Sequence, residues 1–301
     1  MHARLTPATA LLLTVPPAMW AANAVVGRMI GPLVSPMILN LLRWAVAFLL
    51  LLPLAAPVLR ADSALWTHWR RFSLLGLLSV GAYNALQYLA LQTSSPINVT
   101  LVASSSPVWM LAIGRLFFGA SISSRQLAGA ALSIAGVLLV LSRGQLESLL
   151  GLRLVPGDVY ILLASMAWAF YSWMLAQPGK EPAELRGNWA AFLLAQIVFG
   201  LGWSGLFAAG EWALTDAHIA WSGPVLAALL FVAIGPALVA YRCWGAGVQR
   251  AGPSVAAFFS NLTPLFAAVL SSALIGETPH AYHALAFALI VGGIVVSSAR
   301  R

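Results

Sequence analysis

Ten apolar runs follow one another along the chain, with no polar domain or long linker between them. They lie at 6–27, 35–57, 72–91, 97–118, 126–141, 158–176, 188–209, 224–247, 253–275 and 281–298. About 20 apolar residues carry a helix across the hydrocarbon core of a bilayer. Membrane strands would alternate polar and apolar positions, whereas these runs are apolar all round. Charged residues are 8% of the chain and hydrophobic ones 61%, against about 25% charged in an ordinary soluble domain. The expected fold class is therefore an all-α membrane protein with ten transmembrane helices. The first run passes Pro16 and Pro17 and continues through Trp20 without a small-residue cleavage pattern. It reads as a retained helix rather than a secretory leader.

The runs fall into two copies. Residues 92–142 and 249–299 share punctuation at a constant offset of 157 residues, Gln92 falling on Gln249. Pro96 then meets Pro253, Pro107 meets Pro264, Gly119 meets Gly276 and Gly136 meets Gly293, all without a gap. Matched Pro and Gly mark shared backbone geometry, where matched Leu and Ala would mean little in so apolar a chain. The repeats are placed at 6–142 and 157–299, forming one membrane domain. An odd number of spans per copy makes the second enter the membrane from the opposite side, so the halves are inverted. Two such halves have two near-equivalent packings, the basis of alternating access.

Basic residues set the orientation. With the N-terminus inside, the inner segments hold Arg4, Arg60, Arg70, Arg71, Arg125, Lys180, Arg186, Arg250, Arg300 and Arg301, and the outer loops Arg28, Arg143 and Arg153. That bias follows the positive-inside rule and puts both termini in the cytoplasm of a cell whose inner (plasma) membrane holds the protein. The net charge of +8 is spread over many loops rather than clustered, so no nucleic-acid partner is expected. Trp66, Trp69, Trp212 and Trp221 stand at span ends, where indole rings favour the headgroup layer. The single cysteine, Cys243, excludes an internal disulfide.

Several motifs resemble the EamA-type family of the drug/metabolite transporter superfamily. The second half reads Ala240-Tyr241, Trp244, Gly252-Pro253-Ser254-Val255-Ala256, Asn261-Leu262-Thr263-Pro264 and Gly276-Glu277. The first half has Tyr83-Asn84-Ala85-Leu86-Gln87-Tyr88, Ser106-Pro107 and Gly119, with Trp20 and Trp168 near the start of each repeat and Arg43 in the second helix. Ala120 stands where the family pattern has Glu, leaving Glu277 without a counterpart. The resemblance implies a ten-helix carrier of small organic solutes, many relatives being exporters of amino acids and other metabolites. It does not specify a substrate.

No zinc-protease motif, P-loop or dinucleotide fingerprint occurs, and every His lies near a span end, so no catalytic residue, metal or cofactor is expected. The polar and aromatic residues at depth are the candidates. Asn84, Gln87 and Tyr88 share one face of the third span, and Tyr241 and Trp244 are the repeat counterparts of Asn84 and Gln87. Trp20 with Asn23, and Trp168 with Tyr171, repeat an i, i+3 pair in spans one and six. Asn98, Ser105, Trp109, Asn261 and Thr263 extend a wall in spans four and nine. Such a lining suits an amphipathic solute, although amides and hydroxyls in membranes also serve simply to join helices. Pro107 and Pro264 are expected to bend spans four and nine and free carbonyls beside the bundle centre. Arg43 lies eight residues into span two, about 12 Å down. It reads either as a counter-ion for a substrate carboxylate or as a packing residue held by a carbonyl.

Asp158, Glu211, Asp216 and Glu277 all lie near loops. Without a mid-membrane carboxylate, transport is expected to run on substrate gradients or exchange rather than on protons. The function expected is a secondary carrier of small metabolites, directed outward, whose partners are its small-molecule substrate and the lipid bilayer, as a monomer or homodimer. An antiporter of anionic solutes, using Arg43 and Arg242 and similar to nucleotide-sugar carriers, is the alternative within transport. A polytopic lipid-modifying enzyme or flippase is the alternative outside it.

Overall fold

The computed structural model describes residues 5–94, 99, 102–151, 155–275 and 280–298. Asn98, Pro96 and Glu277 lie outside these residues. Among the described residues, ten helical bodies build the bundle. They are α1 (Pro7–Ile30), α2 (Pro36–Ala55), α3 (Trp69–Gly76, Leu77–Tyr83 and Asn84–Thr93 in unbroken succession), α4 (Ser106–Phe118), α5 (Ser124–Leu141), α6 (Pro156–Ala176), α7 (Trp189–Leu214), α8 (Gly223–Val232, Ala233–Val239 and Ala240–Ala251), α9 (Pro253–Ser260 and Thr263–Ile275) and α10 (Ala281–Ser298). Eight of these bodies contain stretches long and apolar enough to span a bilayer, and α4 is a shorter apolar helix. Among the described residues β-pairing is confined to one bridge, Val34 with Ile219.

Local chemistry sets the ends. Thr6 caps α1 by accepting from the Thr9 amide, and Ser123 and Gln126 form a reciprocal capping box at α5. Asn188 accepts from the amides of Ala190 and Ala191 at the start of α7. Each cap satisfies donors that a helix leaves orphaned in its first turn. Gly119, at φ 66°, closes α4 in the left-handed region that suits glycine. Pro16 and Pro17 lie inside α1, which continues through both.

The packing follows an internal two-fold. α1 lies on α8 and α9 as α6 lies on α3 and α4, while α2–α7, α4–α9 and α5–α10 pair across the axis. α5 and α10 approach through glycine. A Cβ on Gly129 would sit 2.6 Å from the Gly293 carbonyl oxygen, and a Cβ on Gly293 would sit 2.6 Å from that of Gly129. Small residues that let backbones meet are how membrane helices gain contact, since lipid removes the hydrophobic drive between them.

Two internal features differ from expectation. Leu77–Tyr83 and Ala233–Val239 are π-helical, seven residues each, at corresponding places in α3 and α8. The matched prolines do not bend continuous helices. Pro107 sits in the first turn of α4 and Pro264 is the second residue of the Thr263–Ile275 segment, after turns at 104–105 and 261–262. Nor do the carbonyls just before the first break stay free. Ser105 Oγ donates to Val102 O and Ser106 Oγ to Ala103 O.

Both ends of the bundle are tied across the repeats. At the end where α1 begins, Glu181 in the α6–α7 loop pairs with Arg71 Nε at 2.9 Å and Arg186 Nη1 at 3.0 Å. Arg71 also donates to the carbonyls of Met174 and Gln177. At the far end, Ser35 N donates to His218 O at 3.0 Å and Ala220 N to Leu33 O at 2.8 Å. Glu211 there accepts from the Met37 and Ile38 amides at the start of α2.

Candidate functional site

The central feature grows out of the π segment of α3. A π turn bonds i to i+5 and disturbs the ordinary ladder, so carbonyls become available to outside donors. Asn40 Nδ2, on α2, donates to Val80 O at 2.9 Å and to Ser204 Oγ at 2.7 Å. Tyr241 Oη, on α8, donates to Ser79 O at 2.9 Å. Four helices from both repeats, α2, α3, α7 and α8, are thereby pinned at one depth.

One turn along α2 from Asn40 stands Arg43, 1% exposed. Its Nη1 donates to Asn84 Oδ1 at 3.1 Å, and its guanidinium lies 5.4 Å from the Trp44 ring centroid. Nε is buried with no hydrogen-bond partner among the described residues. The ion pairs among those residues all belong to Glu181, at one end of the bundle. Arg43 is thus a desolvated cation whose Nε–H has no acceptor among the described residues.

Beside it the aromatic residues close into a cage. Trp20 meets Trp168 edge-on at 5.2 Å and Trp244 at 5.5 Å. Trp168 in turn touches Tyr171 at 5.1 Å, Trp244 at 5.4 Å and Tyr241 at 5.5 Å. Trp244 Nε1 donates to Ser172 Oγ at 3.0 Å, which donates to the Trp168 carbonyl. Rings at these separations and tilts attract through their quadrupoles as well as by area. Trp20 and Trp168 come from corresponding helices, α1 and α6, and meet where the two repeats face each other.

Other candidates are placed differently. Asn23 is buried, with Oδ1 unpartnered among the described residues. Asn261 is also buried, but its Nδ2 donates to Ser133 Oγ at 2.9 Å and ties the break in α9 to α5. Trp109 Nε1 donates to Ser105 Oγ within its own helix start. Tyr88 packs against a separate apolar cluster around Ile30, Leu39 and Leu229, and Gln87 is partly buried. Arg242 is exposed and stacks on Trp189 at 4.5 Å, so it does not join Arg43.

Two cage members escaped the sequence reading. Tyr83 lies 4.9 Å from Trp168, and Trp44 lies 4.9 Å edge-on to Tyr241. Each is the chain neighbour of a residue singled out in the sequence, Asn84 by helical spacing and Arg43 by depth. The usable signal was aromatic density around those two polar residues rather than their helical face.

The chain matches the EamA-like transporter family over residues 8–142 and again over 155–299. It is 24% identical to an uncharacterized transporter, YyaM, of Bacillus subtilis, over 75% of this chain and 72% of that one. It is 25% identical to the aromatic amino acid exporter YddG of Ancylobacter novellus, over 80% of this chain and 78% of that one. A crystal structure of a protein superposes with TM-score 0.75 at 21% identity, covering 98% of this chain and 97% of that one.

Proposed function

The chain belongs to the EamA-like transporter family, and on that premise we propose that it exports small amphipathic metabolites, amino acids first among them, by alternating access. The observation that carries this reading is Arg43, buried beside an aromatic cage with its Nε unspent. An intramembrane guanidinium costs at least about 2.5–3.5 kcal/mol, which one neutral side-chain acceptor offsets poorly. A substrate carboxylate supplies the missing acceptor and charge. The rings of Trp20, Trp168 and Trp244 hold an apolar side chain, and Asn23 Oδ1 is an acceptor for an ammonium group. The Ancylobacter relative, an aromatic amino acid exporter, supports both the substrate class and the direction.

The anionic-antiporter alternative needs a second central cation, and Arg242 is turned away onto Trp189. The relatives are named transporters, which weighs against a lipid-modifying enzyme. Among the described residues the buried acids stand away from the cage, Asp158 in the first turn of α6 and Glu181 in the α6–α7 loop. Substrate exchange without an imposed proton gradient is therefore the coupling we assign. The bias of Arg and Lys supports cytoplasmic termini.

Counterflow of labelled aromatic and branched amino acids by purified protein in liposomes tests the reading. Trp168→Ala removes roughly 1.5–3 kcal/mol of apolar contact, so exchange should fall about tenfold or more. Trp66→Ala, at an exposed ring, should exchange like the parent. Parental exchange by Trp168→Ala, or a strict need for a proton gradient, refutes the assignment.

A further inference from the structure

A cleft of about 480 Å³ opens at the end of the bundle where α1 begins, lined by Thr67, His68, Trp69, Arg70, Arg71 and Lys180. It spans the junction of the repeats, because Thr67 and His68 lead into α3, Trp69, Arg70 and Arg71 begin it, and Lys180 belongs to the α6–α7 loop. No carboxylate is among these lining residues. Glu181 lies behind them with its side chain fully enclosed, shared between Arg71 and Arg186. Burial alone would raise its carboxyl. The amides of Glu181 and Gly179, with Arg71 and Arg186, outweigh that and hold it below the ordinary 4.5. Glu181 is therefore ionised at neutral pH, and its charge is already committed to two guanidiniums. Arg70 and Lys180 remain on the cleft wall, exposed and without an acidic partner among the described residues.

The surroundings identify the kind of anion. Trp66 is 42% and Trp69 50% exposed at this end of α3, as indoles are in a headgroup layer. Leu74 follows Arg70 by four residues, on the same helix face and one turn deeper, and is 44% exposed. An apolar residue open to the surroundings directly below a cation fits a ligand with a charged head and an acyl chain. A free phosphate would use the head alone. Basic pockets at the membrane boundary are where anionic headgroups collect.

We propose that this cleft binds the headgroup of an anionic phospholipid, its phosphate held between Arg70 and Lys180 and its acyl chain laid along Leu74. A phosphate bridging these residues joins the first repeat to the α6–α7 loop of the second. It sits beside the Arg71–Glu181 pair and adds a second tie across this end.

The test uses full-length protein in phosphatidylcholine nanodiscs with and without phosphatidylglycerol, read by thermal unfolding and by lipid retention in native mass spectrometry. Phosphatidylglycerol should raise the unfolding temperature and remain bound to the parent. Arg70→Gln with Lys180→Gln should retain it about thirtyfold more weakly while unfolding like the parent in phosphatidylcholine alone. The charge-preserving pair Arg70→Lys with Lys180→Arg should restore retention. If the double Gln variant does not fold, Lys180→Gln alone decides, since Lys180 is exposed and makes no intramolecular hydrogen bond among the described residues; it must weaken retention. Parental retention by the Gln variants overturns the site. Protection by inorganic phosphate equal to that by phosphatidylglycerol overturns the lipid assignment.

Discussion

Desolvating a guanidinium inside a membrane protein is costly, and Arg43 meets that cost with one hydrogen bond to Asn84 and the face of Trp44. Two effects of Arg43→Gln oppose each other in the empty protein. The burial cost of about 2.5–3.5 kcal/mol disappears, and a charge-assisted bond of about 1.5–3 kcal/mol goes with it. Their near balance predicts little change in unfolding temperature in detergent. Substrate exchange should fall by about ten- to a hundredfold, the same bond range applied to a carboxylate ligand. A large drop in unfolding temperature with exchange intact would identify Arg43 as a packing residue instead. At this scale much of the candidate cluster was legible: i, i+3 spacing drew attention to Trp20, Trp168, Tyr241 and Trp244, which meet in space, and depth did so for Arg43. Asn261 and Tyr88 show the limit of that logic. Helical spacing gives a shared face but not which neighbour the face meets, and these two meet Ser133 and the Ile30–Leu229 cluster.

The helices themselves were written plainly in the apolar runs, and all ten runs contain a described helical body. Their interruptions were not. A π turn differs from an α turn by one residue per hydrogen-bonded ring, and no residue preference separates the two in an apolar run. Pro236, lacking an N–H, was the available hint in α8. The matched prolines were read correctly as repeat marks, but Pro favours the first turn of a helix over its interior, and both lie in the first turn of a new segment. The close pairing of α5 with α10 was half legible, since Gly136 and Gly293 matched in register while Gly129 met Gly293 in space. Gly293→Leu tests that pairing. Its side chain must displace the Gly129 carbonyl and the Ser133 backbone, which lies 3.0 Å from the first added atom. Overpacking of this kind costs about 1–3 kcal/mol or more. Thermal unfolding of purified protein should therefore show a clear loss for Gly293→Leu and almost none for Gly292→Leu, where a Cβ meets nothing within 4 Å.

Across the whole molecule, the two-fold relates the two junctions by position and not by chemistry. At the end where α1 begins, an ion pair joins the α6–α7 loop to α3. At the other, the α1–α2 and α7–α8 loops pair as a single rung of antiparallel sheet around Val34 and Ile219. Inversion was visible in the odd number of spans per copy, but the junctions lie in loops whose sequences share nothing between repeats, so neither could be read in advance. If transport runs by the alternating access proposed above, the far junction must part whenever the site opens to that side. Val34 and Ile219 are the rung's non-hydrogen-bonded pair, since the flanking bonds run from Ser35 and Ala220. Such pairs bring Cα atoms to about 4.5 Å, within the range of an unstrained disulfide. With Cys243→Ser removing the native thiol, Val34→Cys with Ile219→Cys should oxidise readily and lose exchange in liposomes. Reductant should restore it in the same preparation, which separates a locked junction from a damaged fold. Each single cysteine variant should exchange normally under both conditions. If the oxidised pair still exchanges at the parental rate, the loops never separate during transport, and access on that side must open between other helices.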